Sequence, residues 1–218
     1  MSFDFDAPVD RRDTASIKWD KYRGRDVLPL WVADMDFPSP PAVLEALRRR
    51  VDHGVFGYTV PPSDLVDVTV EMLLREYGWR VDPAWIVWLP GLVSGIHLSC
   101  RAVGQSGDEV ITTVPIYPPF LTAPVLSDRT CVTVPLVQSG DRWEMDFDRL
   151  AAAVTPRSRL MLLCNPHNPV GRIFSRAELK TLARLCLERD LVLCSDEIHC
   201  LLLLEADCPH IPAATLGN

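Results

Sequence analysis

Between Ile86 and Asp196 short apolar runs alternate with amphipathic segments, and this alternation limits the fold more than any other feature of the chain. The runs IVWL (86–89), EVITTV (109–114), TCVTVPL (130–136), RLMLLC (159–164) and LVLCSD (191–196) have the length and aliphatic content of buried strands. Between them, GLVSGIHLSCRAV from near Leu92, a short stretch after Tyr117, DFDRLAAAV (146–154) and SRAELKTLARLCLERD (175–190) read as helices. Ser175 and Glu178 have the spacing of a capping box at the start of the last one. Strands that are apolar throughout and separated by helices join in parallel, because each connection must cross over a covered sheet face. The predicted class is α/β, a three-layer α/β/α arrangement around a mainly parallel sheet.

The first forty residues show no such period. They are rich in Asp, Pro and aromatic residues and read as an extended arm. Pro38, Ser39, Pro40 and Pro41 then punctuate the chain, with Ser39 expected to cap the helix AVLEALRRRVDHG and Gly54 and Gly57 to end it. A second helix is predicted from Ser63 to Tyr77, its apolar stripe formed by Leu65, Val66, Val70, Leu73 and Leu74.

With 218 residues, 48% of them hydrophobic and 23% charged, the chain can bury a sizeable core. Its net charge of −7 argues against nucleic acid or an anionic membrane surface as partner. No apolar run approaches a membrane span, and the acidic start MSFDFDAPVDRRD has no signal-peptide core, so a cytoplasmic location is expected. The 7 cysteines are odd in number and irregular in spacing, which favours buried reduced thiols over disulfides. His199, Cys200, Cys208 and His210 lack the paired spacing of a zinc site, and no metal is expected. Asp34-Met35-Asp36 resembles a DxD metal motif, but no strand leads into it and that reading is set aside.

In parallel α/β sheets ligands bind beyond the carboxyl ends of the strands. Four segments fall there: Gly91–Gly95, Pro115–Pro119, Asn165–Gly171 and Ser195–His199. Taken alone, each residue in them has two readings. Asp196 is a turn cap or a ligand group, and His199 a core histidine or a donor. Asn165 and Asn168 are turn formers or donors, and Tyr117 packs or stacks. The Gly91–Ser94 turn opens a helix whose N–H groups suit an anion, yet GLVSG is neither a P-loop nor GxGxxG. The missing glycine fingerprint excludes a nicotinamide-binding domain.

In this order and spacing PGLVSGI, PIYPPF, CNPHNPVGRIF and SDEIHC resemble the aminotransferase-like, fold-type I pyridoxal 5′-phosphate (PLP) enzymes. LPLWVADMDFPSPPAV and FGYT are similar to the cystathionine β-lyase, or C–S lyase, branch of MalY/PatB-like enzymes, and the resemblance runs from about Phe3 to the end. It implies that Asp196 holds the pyridine nitrogen, that Asn168 and His199 contact the phenolic oxygen and that Tyr117 stacks on the ring. Gly91, Leu92, Val93 and Ser94 would bind the phosphate. Tyr58 would reach the phosphate of a neighbouring subunit, implying a homodimer, and Val32, Ala33 and Asp34 would line the substrate side. The implied reaction is β-elimination from cystathionine or a cysteine conjugate, a small amino-acid substrate, to pyruvate, ammonia and a thiol. An aminotransferase of the same fold is the alternative within the class.

Such an enzyme needs a lysine as cofactor anchor and proton-transfer base. The chain has Lys18 and Lys21 in the arm and Lys180 on the helix after the NPVG turn. The resemblance places the anchoring lysine roughly thirty residues beyond the SDEIH strand, past the end of this sequence. On that basis residues 1–45 are an arm with part of a small domain. Residues 46–218 are an incomplete PLP-binding large domain, and the C-terminal small domain is absent. No catalytic residue is assigned, and the chain alone is expected to be inactive, leaving a non-catalytic fragment or interaction module as a further reading.

Overall fold

In the computed structural model, which describes residues 4–205 and 207–217, the alternating apolar runs sort their side chains onto the two faces of one parallel sheet. Two compact units divide the chain between Val60 and Pro61. The first holds α1 (Ile17–Asp20) and α2 (Pro41–His53). Pro41 occupies the first position of α2, where its missing N–H would have had no helical partner anyway. The cap position therefore falls on Pro40, which makes no side-chain cap bond, and not on Ser39 as expected. Gly54 ends the helix at φ +73°, a left-handed conformation that favours glycine.

The arm is ordered by charge. Arg11 donates twice to the Asp34 carboxylate, at 3.0 and 2.8 Å, and once to Asp36 at 2.8 Å. Lys18, 5% exposed, donates to the Asp34 carbonyl and the Asp36 carboxylate, both at 2.7 Å, and the Trp19 indole donates to Asp36 at 2.9 Å. The Lys18 ammonium and these donors hold the Asp36 carboxyl down to about 2, and Arg11 lowers that of Asp34.

The second unit begins with α3 (Ser63–Tyr77), as predicted, and a single 3-10 turn at Pro83–Trp85. Val66, Val70, Leu73 and Tyr77 are its half-buried stripe, with Leu65 and Leu74 on the exposed edges. Next come α4 (Leu92–Ala102), β1 (Glu109–Val114), α5 (Pro119–Leu126), β2 (Thr130–Pro135), β3 (Val137–Ser139) and β4 (Arg142–Glu144). The unit continues with α6 (Phe147–Ala153), β5 (Ser158–Cys164), α7 (Arg176–Glu188) and β6 (Val192–Asp196), and a 3-10 turn spans Ala213–Thr215. The four long strands pair in parallel in the order β2-β1-β5-β6.

Val110, Leu160, Leu162 and Cys164 face α4 and α5, meeting Ile96, Cys100, Phe120 and Ala123. Ile111, Met161 and Leu163 face α6 and α7, meeting Leu150, Leu179, Leu182 and Cys186. This is the expected α/β/α sandwich. All 7 cysteines are free thiols, and burial pushes those of Cys100, Cys164 and Cys186 up to about 11, which keeps them unreactive. At the start of α7 the capping box is formed: Ser175 Oγ accepts from Glu178 N at 3.3 Å, and Glu178 accepts from Ser175 N at 2.8 Å.

The structure corrects one strand and adds a hairpin. Ile86–Leu89 is unpaired chain after the 3-10 turn, with Val87 76% exposed, and among the described residues the outer edges of β2 and β6 stay without a partner strand. The β3–β4 hairpin turns at Gly140, φ +59°, where a Gly-Asp pair between two short runs is a known hairpin signal.

Contacts at two points along α4 fix its direction. Its C-terminal carbonyls, those of Arg101, Val103 and Gly104, accept from the Arg129 guanidinium, which lies just before the amino end of β2. Midway along, Ser99 meets Cys194 of β6 at 3.4 Å. The helix therefore runs against the strands, and its N-terminus emerges at their carboxyl ends.

Because Leu163 is fully buried on the α7 face, Leu163→Ala is expected to cost about 2–5 kcal/mol in urea unfolding. Ser175→Ala should cost about 1 kcal/mol through loss of the cap. A Leu163→Ala cost no larger than that of Ser175→Ala would contradict the two-faced core.

Candidate cofactor site at the strand ends

Three loops leave the carboxyl edge of the sheet side by side, and buried hydrogen bonds tie them together. From β5, Asn165 is fully buried; its N–H donates to the Asp196 carbonyl at 3.0 Å, and its Oδ1 accepts from Phe174 N at 3.0 Å. His167 is also buried, its Nε2 2.8 Å from the Pro115 carbonyl and its Nδ1 3.2 Å from the Cys164 carbonyl. This imidazole joins the loop after β1 to the loop after β5. Burial lowers its pKa, opposed by the Pro115 and Cys164 carbonyls, and a neutral ring, with one N–H, donates to one of the two. Its ring packs edge-on against Phe174, centroids 5.7 Å apart. Nothing in the sequence marks His167 as the organiser, since its partners are backbone carbonyls, one of them 52 residues away.

Asp196 closes β6, in register with Cys164 at the end of β5. Its Oδ1 accepts from Ile198 N at 3.1 Å, a bond that a plain strand-end cap would also make. The carboxyl is half-buried, and loss of solvent raises its pKa, partly offset by the Ile198 N–H and by His199 nearby. Burial therefore penalises the carboxylate, a penalty that a cation placed against it would relieve.

The other expected groups divide by what they are already doing. The side chains of Tyr117, Asn168 and His199 make no hydrogen bond among the described residues, and Tyr117 is 41% exposed. The Asn168 backbone N–H lies near the Cys164 thiol and partly offsets the rise that burial gives the thiol's pKa. Gly91, Leu92, Val93 and Ser94 are exposed where α4 begins, and no side chain caps that helix. Its first N–H groups face outward at the positive end of an 11-residue helix. Gly91 sits in extended backbone that any residue adopts, and a Cβ there would project into open space.

In the first unit, Asp34 is committed to Arg11, and Val32 and Ala33 lie on the loop it pins, with Asp34 N donating to the Val32 carbonyl at 2.9 Å. Tyr58 is fully exposed. Lys18 is sealed by Asp34 and Asp36, Lys21 lies 4.1 Å over the Trp31 ring and Lys180 is exposed on α7. Among the described residues no group of three or more His, Cys, Asp or Glu is arranged to hold a metal, and no helix is long and apolar enough to cross a membrane.

Comparison with known proteins identifies the family. The family model for class I and II aminotransferases matches residues 25–214. The chain belongs to that family. Within this PLP-enzyme family it is similar to cystathionine β-lyase PatB of Bacillus subtilis, 39% identical over 98% of this chain and 56% of the relative. Among solved structures it resembles OvoB, with TM-score 0.93 and 43% identity over 98% of this chain and 56% of that one. It also resembles Treponema denticola cystalysin, a structure containing pyridoxal 5′-phosphate, with TM-score 0.92 and 31% identity over 99% and 56%. The chain thus spans about 56% of the length of these relatives.

Asp196 yields a signed test. A carboxyl whose folded pKa is raised binds its proton more tightly folded than unfolded, so stability falls as pH rises from the unfolded to the folded value. Asp196→Asn should therefore raise the melting temperature of the cofactor-free chain at pH 7 and leave it little changed well below pH 4. A lower melting temperature at pH 7 would show that the carboxylate is stabilising where it stands.

Proposed function

We propose that this chain forms the cofactor face of a PLP-dependent C–S β-lyase acting on cystathionine or a related cysteine conjugate. What supports this is the division of labour at the strand ends. His167 and the Asn165 Oδ1 are spent on structure, whereas the side chains of Tyr117, Asn168 and His199, the second oxygen of the raised Asp196 carboxyl and the first N–H groups of α4 are not. Those uncommitted groups match the chemistry of the cofactor one by one: an acid for a ring nitrogen, donors for a phenolic oxygen, an aromatic face and an anion-binding helix start.

Bound pyridoxal phosphate would supply the electron sink for loss of the substrate's α-proton and β-thiol, the remainder taking up one water to give pyruvate and ammonia. Asp196 holds the proton at the ring nitrogen, and the cation beside it removes the cost of its burial. Asn168 and His199 donate to the phenolic oxygen, and Tyr117 covers one ring face and keeps water from it. The N–H groups of Leu92, Val93 and Ser94 hold the phosphate. Tyr58, free at the surface, serves the phosphate of a second copy in a homodimer, and Val32, Ala33 and Asp34 border the amino-acid substrate.

None of the three lysines is placed to take the α-proton. Lys18 is buried in ion pairs, Lys21 covers an indole and Lys180 is on a solvent-facing helix surface. The chain alone therefore binds the cofactor without turning over substrate. An aminotransferase is the second reading, because the matching family model covers that chemistry.

Gly91→Val separates binding from folding. With extended backbone and no atom within 4 Å of a Cβ, the variant should keep its melting temperature to within about 2 °C. Its pyridoxal phosphate affinity should fall at least about tenfold as the side chain crowds the phosphate N–H groups. Equal affinity for both proteins would remove the phosphate role of this turn. The reaction class is tested by a polypeptide that carries this sequence together with a lysine-bearing continuation. Release of pyruvate and thiol from cystathionine with no keto acid added supports the lyase; dependence on a keto acid with amino transfer establishes the aminotransferase.

A further inference from the structure

Glu197 comes directly after Asp196, yet its carboxylate serves a different set of groups. Oε1 accepts from Ser195 Oγ and from Ala213 N, both at 2.8 Å, and Oε2 lies 3.0 Å from Nε2 of His210. The His210 side chain is 0% exposed, its Nδ1 has no partner, and its ring stands edge-on to Tyr77 at 5.7 Å. One carboxylate therefore fastens the end of β6 to the segment 210–213 and, through the His210 ring, to the last residue of α3.

The turn it fastens follows Asp196, the last residue of β6, and carries His199. Within the turn the bonds are local: Ile198 N to Asp196 Oδ1 at 3.1 Å, Cys200 N to the Glu197 carbonyl at 2.9 Å and Leu202 N to the His199 carbonyl at 2.9 Å. Such short-range bonds leave a turn free to open by itself. Beyond Asp196 no sheet ladder continues, since the β5–β6 pairing ends at Cys164 and Asp196. Among the described residues the Glu197 carboxylate is the long-range restraint with hydrogen bonds at 2.8–3.0 Å on residues 197–200, and the Cys200 thiol beside the Tyr77 hydroxyl is a weaker contact with the same helix.

We propose that Glu197 is a positioning residue: by holding Ser195, His210 and Ala213 it fixes the turn after Asp196 and so aims His199 at the cofactor. It touches neither cofactor nor substrate and acts only through its neighbours. The cofactor part of this role rests on the function proposed above; the ordering of the turn does not.

The test is site-resolved amide hydrogen exchange on the cofactor-free chain, with a pyridoxal phosphate titration alongside. In Glu197→Ala, exchange at Ile198, Cys200 and Leu202 should quicken by about tenfold or more, while Ile111 and Met161 in the sheet stay unchanged. Glu197→Gln should largely restore the wild-type rates, because its amide oxygen still accepts from Ser195 and Ala213. Ala213→Pro is a second, milder probe. It deletes one donor to Glu197 at the first position of a 3-10 turn, after a residue at φ −60°, ψ 133°, where proline is tolerated. It should quicken the same amides to a smaller extent. Unchanged exchange at 198–202 in both Glu197→Ala and Ala213→Pro, or equal quickening throughout the sheet, overturns the proposal. If the turn loosens while the affinity of Glu197→Ala for pyridoxal phosphate equals that of wild type, the aiming role fails and only the structural one stands. If the wild-type chain binds no pyridoxal phosphate, the function proposed above fails, and the exchange result still decides whether Glu197 orders the turn.

Discussion

β5 is buried on both faces, and the rest of the second unit is arranged around that constraint. A strand with Leu160, Leu162 and Cys164 on one side and Met161 and Leu163 on the other must have a helical layer on each. It must also have a paired neighbour along each edge, since its backbone polar groups have no access to water. β1 and β6 fill those edges in parallel, and parallel pairing brings the carboxyl ends of all the strands to one rim. The loops at that rim then carry Tyr117, Asn168, Asp196 and His199. The site is thus a consequence of where the β5 side chains go, reinforced by the bond from Asn165 N–H to the Asp196 carbonyl.

The rim also stores unspent interaction. A carboxyl raised by burial, exposed helix N–H groups without a cap and polar side chains without hydrogen bonds contribute little to folding. They sit next to His167 and Glu197, whose polar groups are engaged, and next to Asn165, whose Oδ1 accepts from Phe174 while its buried Nδ2 has no partner. Binding sites commonly keep such groups at some expense in stability, because a ligand completes them. The contrast between neighbours in one short segment, Asp196 with a single local bond and Glu197 clamped from three sides, is the clearest instance here.

Much of the layered fold can be read from the amino acids, since it depends on local period and on caps. The Ser63–Tyr77 helix, the Ser175–Glu178 box and the strands from Glu109 onward are set by side-chain spacing within a few residues. Ile86–Leu89 departs from its expected strand because an apolar run becomes one only with a ladder partner, which spacing does not reveal. Ser39 loses the cap position because proline at the first turn of α2 moves the start by one residue. The rim segments can be located from the strand-end rule, and Asp196, Asn168, Tyr117 and His199 do lie on them. His167 and Glu197 cannot be found that way. Their partners, Pro115, His210 and Ala213, are 13 to 52 residues away and are met only once the sheet has formed.

We propose that this chain brings the PLP-binding groups, apart from the Tyr58 of a second copy, to the rim of this sheet. Backbone amide chemical-shift mapping during a pyridoxal phosphate titration tests it most directly. Saturable, reversible shifts are expected, confined to residues 92–95, 117, 168 and 196–199, with Ile111–Thr113 and Leu160–Leu163 unmoved. Shifts that fail to saturate, or that centre on Lys180 and the exposed face of α7, would contradict it.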